Sequence, residues 1–191
     1  MLIVKVKSIE EISPFVTGRV IAVCCEGCRD VYYPDNDVIA MLDGIAVRGT
    51  DFEVLELLYM CSENFLDLYM QNYKDLFISC DTILTVSCGV GVQMFSNFVR
   101  NVSDSKIISC CDTLEMPGFQ GLTPSKFNCA LCGDCHLNET GAICPITSCK
   151  KSLVNGQCGG AKNGMCEVDD SIECGWERIY QRLEKYYVLA P

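Results

Sequence analysis

The chain has 191 residues, 49% of them apolar and 21% charged, with a formal net charge of −10. That length accommodates one good hydrophobic core with a smaller appendage, and the apolar content excludes a disordered chain. The acidic balance excludes nucleic acid as a partner, because phosphate binding needs a basic surface. No apolar run approaches the roughly 20 residues of a membrane span. The opening MLIVKVKSIEEI meets Lys5 and Lys7 too early for a signal peptide, so a cytoplasmic protein without a membrane span is expected.

In chain order, the first part alternates apolar runs with amphipathic stretches. RVIAVCC (19–25), DFEVLELLYMC (51–61), TILTVSC (82–88) and SKIISCC (105–111) read as buried strands. NDVIAMLDGIAVRG (36–49), ENFLDLYMQNYKDLF (63–77) and VGVQMFSNFVRN (90–101) carry helical spacing between them. Strand–helix alternation with short connections predicts an α/β domain over residues 1–120, a parallel sheet with helices on both faces. From PGFQGLTPSKF (117–127) onward Gly, Pro, Asn and Cys accumulate and no strand-like run survives. Residues 121–191 are therefore expected to form a small cysteine-rich domain that needs a metal staple. It closes on a helix in which Trp176, Ile179, Tyr180 and Leu183 share one face.

Sixteen cysteines dominate the composition. Disulfide density belongs mainly to small secreted domains that lack a core, so metal ligation is the favoured use here. In a parallel sheet, ligands bind beyond the carboxyl ends of the strands. Cys25 and Cys28 follow the first of these strands, Cys61 the second and Cys88 the third, so these four are expected to converge on one cluster. Cys24 and Cys80 read as spare buried thiols. After Cys88, Gly89-x-Gly91 permits a tight strand-to-helix turn, but Met94 stands where a dinucleotide fingerprint needs a third glycine. The better use of Gly89 and Gly91 is to open a helix whose N–H groups and dipole favour an anionic cofactor such as a thiolate-ligated iron–sulfur cluster.

Cys129-x2-Cys132-x2-Cys135, followed by Cys144-Pro145, supplies three closely spaced thiolates and then a Cys-Pro pair. Ferredoxins hold [4Fe–4S] clusters with this kind of spacing, whereas zinc sites usually assemble from two separated pairs. Iron–sulfur ligation is the leading expectation, with zinc and disulfides as alternatives. Cys149, Cys158, Cys166 and Cys174 complete a second cubane, bind a tetrahedral zinc, or share ligands with the first. Eight cysteines in each half lead to an expectation of at least two [4Fe–4S] clusters. His136 is the sole histidine and reads as a surface residue, since one histidine does not support the usual catalytic arrangements. Lys150, Lys151 and Lys162 stand beside these cysteines as a candidate docking patch.

The run CALCGDC…GAICPITSCKKSLVNGQCGG…NGMCEV…ECGWERIYQRL resembles the C-terminal methylenetetrahydrofolate reductase domain of the MetV type. That domain is the small iron–sulfur or zinc subunit of the reductase in acetogens. The resemblance extends upstream through SCGVGVQ (87–93) to CCEGC (24–28). It implies a subunit that is not catalytic alone and carries [4Fe–4S] clusters, with zinc as a further metal. It also implies a flavin-containing MetF-type partner subunit that reduces methylenetetrahydrofolate in the methyl branch of carbon dioxide fixation. Ferredoxin or a further redox subunit is the donor it implies. The competing expectation is a structural zinc scaffold that clamps the catalytic subunit.

Overall fold

The computed structural model describes residues 3–28, 34–46, 52–115 and 127–188. Four strands, β2 (Val20–Cys25), β3 (Phe52–Leu57), β4 (Thr82–Val86) and β5 (Lys106–Ser109), form a parallel sheet in the order β3-β2-β4-β5. The helices are α1 (Ile9–Ile12), α2 (Asp35–Ala46), α3 (Glu63–Ile78), α4 (Gly89–Val99), α5 (Pro145–Ser148) and α6 (Gly175–Val188). On one sheet face Val20, Ala22, Leu84, Val86 and Ile108 pack with Ile12 of α1 and with Val38, Met41 and Ile45 of α2. On the other, Ile21, Val23, Ile83 and Ile107 pack against Leu66 and Phe77 of α3 and Met94 and Phe95 of α4. Burial on both faces explains why β2, β4 and β5 read as apolar runs, whereas the edge strand β3, with Glu53, Val54 and Glu56 exposed, alternates.

From β2 the chain runs outward to β3, then crosses back so that β4 lies on the other flank of β2. The strand order therefore reverses direction between β2 and β4, and the crevice at their carboxyl ends is where doubly wound folds bind ligands. Phe77 is fully buried and meets Phe95 edge-on, with ring centroids 5.5 Å apart. Phe77→Ala is expected to cost roughly 3–5 kcal/mol through lost burial and a residual cavity. A lowered urea midpoint with an unchanged slope is the measurement that checks it.

Two differences from the sequence expectations have local causes. The strand expected over 51–61 stops at Leu57, because Tyr59 adopts a left-handed backbone (φ 47°) that turns the chain before Cys61. The strand expected over 105–111 divides into two. β5 ends at Ser109, and β6 (Cys111–Glu115) leaves the sheet to pair antiparallel with β1 (Ile3–Val6). The helix expected over 36–49 is described as far as Ala46, and positions 47–49 lie outside the described residues.

The expected division between residues 120 and 121 also lies outside the described residues. Beyond it, Leu137 and Ala142 join the core under α3 and α4. A separate small core gathers Ile143, Cys174, Trp176 and Ile179, with Leu183 packed against it. Trp176 donates its indole N–H to the Leu153 carbonyl at 2.9 Å, so it anchors α6. Among the described residues no helix is long and apolar enough to cross a membrane.

Candidate metal centres

The first thiol set lies at the carboxyl edge of the sheet. Cys25 ends β2, Cys28 follows it, Cys61 follows the turn after β3, and Cys88 is the N-cap of α4 directly after β4. Two contacts bring the separate segments together. Gly27 lies so close to Tyr59 that an added Cβ would stand 2.6 Å from its backbone nitrogen, so the Cys28 and Cys61 turns meet there. The Tyr69 hydroxyl accepts from the Leu58 N–H and donates to the Leu58 carbonyl, both at 2.9 Å, which ties the turn carrying Cys61 to α3.

The electrostatics reflect this convergence. Burial, with Cys25 and Cys28 nearby, pushes the Cys61 thiol up to about 11. Burial also pushes Cys88 up to about 12, with Cys25 and Cys61 adding, while the N–H groups of Gly91 and Val90 act in the opposite sense. Cys28 rises through burial and its neighbour Cys25. Thiols so raised are protonated at neutral pH in the metal-free chain, so cation binding there must release protons. The N–H groups aimed at Cys88 belong to the first turn of α4, where the helix dipole favours the thiolate. Gly91 is packed so closely that a Cβ would stand 2.2 Å from the Ser87 hydroxyl. That hydroxyl is buried and has no hydrogen-bond partner among the described residues, which leaves one polar group beside Cys88 available to a bound cofactor.

The second set lines a pocket that also borders the first turn of α4. Cys129, Cys132, Cys135 and Cys144 line it, with Gly89 and Gln93 in its wall. Leu131 (φ 56°) and Gly133 (φ 70°) take left-handed conformations between successive cysteines, which curls the loop so that all three share one concavity. A Cβ at Gly89 would stand 3.1 Å from the Cys129 sulfur, so only glycine leaves this approach relaxed. The Leu131 N–H donates to that sulfur at 3.5 Å. Pro145 opens α5 immediately after Cys144. Its fixed φ suits the first helical position and holds Cys144 at the helix entrance. His136, expected on the surface, lies in the pocket lining.

Three polar side chains that sequence reasoning did not single out dock this loop on the α/β core. Gln93 donates through Nε2 to the carbonyls of Gly89 (2.9 Å) and Asn128 (2.8 Å), and its Oε1 accepts from the Cys144 N–H at 3.0 Å. Asp112 Oδ1 accepts from the Cys135 N–H at 2.9 Å. Asn138 exchanges two hydrogen bonds with the backbone of Ser109. The available signal was Gln93 itself, a lone amide within the apolar run VGVQMF.

Cys149, Cys158, Cys166 and Cys174 lie together in a third region, away from that pocket. Cys174 and Cys149 belong to the core under Trp176. The Cys166 N–H donates to Ile172 and the Cys174 N–H to Gly164, closing a small knuckle. Cys158 contacts Glu167 at 3.1 Å. Lys151 pairs with Glu167, and Lys150 with Asp169 at 3.6 Å, so these two lysines already have acidic partners. The remaining thiols point to packing. Cys24, Cys110 and Cys111 belong to the core on the α2 face, and Cys80 donates to the Phe77 carbonyl.

Among the described residues, no group of three or more Cys, His, Asp or Glu side chains is arranged to hold a single metal ion. Thiolates around one zinc must all lie about 2.3 Å from a common point. A cubane instead spreads its four thiolates over separate irons, so the two four-cysteine sets have the donor chemistry and number it requires.

The fold and the thiol sets define a doubly wound α/β protein carrying cysteine clusters at and beside its switch point. Residues 108–190 match the family described as methylene-tetrahydrofolate reductase C terminal. The match agrees with the resemblance carried by the cysteine motifs of that segment. No curated protein and no solved structure matches the chain.

Proposed function

We propose that the chain is the iron–sulfur electron-transfer subunit of a methylenetetrahydrofolate reductase complex. It passes electrons from a low-potential donor, ferredoxin or a further redox subunit, to the flavin of a MetF-type catalytic subunit. The observation that supports this reading is the approach of the two groups of cysteines to the first turn of α4. Cys88 caps α4 toward the first set, and the adjacent Gly89 touches Cys129 of the second. A [4Fe–4S] cluster at each set supplies one-electron transfer. The chain's own part is to hold the ligands, direct N–H groups at their sulfurs, and keep the two sets adjacent.

Cys25, Cys28, Cys61 and Cys88 would hold the first cluster, and Cys129, Cys132, Cys135 and Cys144 the second. Cys149, Cys158, Cys166 and Cys174 would supply thiolates to a metal staple of the C-terminal segment, but they are not arranged around one ion, so such a site would have to assemble on binding. The paired carboxylates at Lys150 and Lys151 make these lysines a weak docking patch, so the donor is expected to bind elsewhere.

Anaerobic reconstitution of the full chain, followed by iron and acid-labile sulfide analysis, tests the reading. Roughly eight irons per chain are expected from two cubanes. Fewer than about four, or a colourless chain holding only zinc, would leave the structural clamp as the better account.

A further inference from the structure

We propose that the Ser87 hydroxyl donates a hydrogen bond to the thiolate-ligated group held by Cys25, Cys28, Cys61 and Cys88, and thereby raises its reduction potential. The inference rests on the electron-transfer reading above and adds to it a residue that is not itself a thiol. Ser87 follows β4, directly before the Cys88 that caps α4. It is 5% exposed, and its Oγ has no hydrogen-bond partner among the described residues. A hydroxyl withdrawn from water is nearly always paired, because stranding it costs more than the pair itself contributes. Its surroundings show where a partner for it would stand.

Strand register sets Ser87 beside Cys25. β2 and β4 pair in parallel, with Ile21 opposite Ile83, Val23 opposite Thr85 and Cys24 opposite Val86. One step further along the same register brings Cys25 opposite Ser87, across a strand spacing of about 4.8 Å. Both fall on one face: Ile21, Val23 and Ile83 pack toward α3 and α4, as does Cys25, and residues two apart along a strand share a face. A third segment closes in through α4. A Cβ added to Gly91, in the first turn of that helix, would overlap the Ser87 hydroxyl and lie 3.5 Å from the Met60 Cβ. Met60 is fully buried and directly precedes Cys61. The Ser87 hydroxyl is therefore bordered by the segments that carry Cys25, Cys61 and Cys88, and glycine at position 91 leaves it room. Thr85 carries the other buried hydroxyl without a partner among the described residues, but its neighbours in register are Val23 and Ser109, not cysteines. A metal-bound sulfur only accepts hydrogen bonds, so loading the first set gives the serine proton an acceptor. Hydrogen bonds to ligand sulfurs favour the more negative, reduced form and are among the features that set cluster potentials.

The test is an anaerobic redox titration of the reconstituted full chain followed by paramagnetic resonance, read at the signal that Cys88→Ala abolishes. In Ser87→Ala the reduced-to-oxidised ratio of that signal, at a fixed applied potential, should fall about tenfold, which is about 59 mV for a one-electron couple. The other signal should not move. Urea unfolding of the metal-free Ser87→Ala chain supplies a second readout. Its midpoint should equal or exceed the parent's, because alanine deletes a hydroxyl that the metal-free chain leaves unpaired. Thr85→Val removes the neighbouring hydroxyl at nearly constant volume and should leave both potentials as in the parent. An unmoved potential in Ser87→Ala overturns the proposal. So does a lowered urea midpoint, which would mean that the hydroxyl is paired within the protein. An equal shift in Thr85→Val overturns it too, since packing under α4 rather than a donor beside the cysteines would then set the potential. A parent chain that takes up no iron, or a Cys88→Ala chain that keeps both signals, overturns the underlying reading instead.

Discussion

Replacing Cys88 by alanine is expected to remove roughly four irons per chain while leaving the second set loaded. Cys88 lies where two elements meet. It is held by the end of β4 and by the N–H groups of Val90 and Gly91 in the first turn of α4. Alanine deletes the sulfur but keeps the backbone that starts the helix, so the fold around Phe95 and Met94 should persist. The loss is therefore expected as a local change: one paramagnetic signal disappears and the far-ultraviolet circular dichroism stays within error of the parent. Loss of both signals together would mean that the two sets are not independent sites. Unchanged iron would assign Cys88 to packing.

Gln93→Leu should have the opposite pattern, sparing the first set and releasing the second. The amide is 4% exposed and makes three hydrogen bonds, two of them to residues that bracket the cysteine loop. Leucine fills a similar volume but leaves the Cys144 N–H without its acceptor and the Asn128 carbonyl without one of its donors. A buried polar group stranded in this way costs about 1–3 kcal/mol. The metal-free chain should therefore lose about 3 kcal/mol in urea unfolding, at the upper end of that range. Limited proteolysis should cut first within residues 127–148, and the second paramagnetic signal should weaken before the first. Gln93→Glu separates packing from hydrogen bonding. It keeps the Oε1 acceptor for Cys144 but sets an oxygen against the Gly89 and Asn128 carbonyls, so it should also loosen the loop.

The legibility of this protein divides along the range of the interactions. Strands such as TILTV and helices such as ENFLDLYMQNYKDLF are specified by local periodicity and burial on both faces, which a one-dimensional pattern carries. The alternation of those elements implies parallel strands, and with them a shared carboxyl edge where Cys25, Cys61 and Cys88 would meet. The Cys-x2-Cys-x2-Cys spacing is likewise local, and so is the family resemblance of the C-terminal segment, which the match over residues 108–190 bears out. What the pattern does not carry is any pairing between distant residues of ordinary type. The exchange of β6 from the main sheet to β1 depends on a partner more than 100 residues away, and nothing in SKIISCCDTLE marks the break at Cys110. The pocket membership of Cys144 depends on Gln93, 51 positions earlier. Lys7 reads as an ordinary surface charge in MLIVKVKS, and only the fold encloses it with Asp112, whose carboxylate also accepts the Cys135 N–H. A buried charge is stable only when a specific counter-ion meets it in three dimensions, and that meeting is a property of the tertiary structure alone.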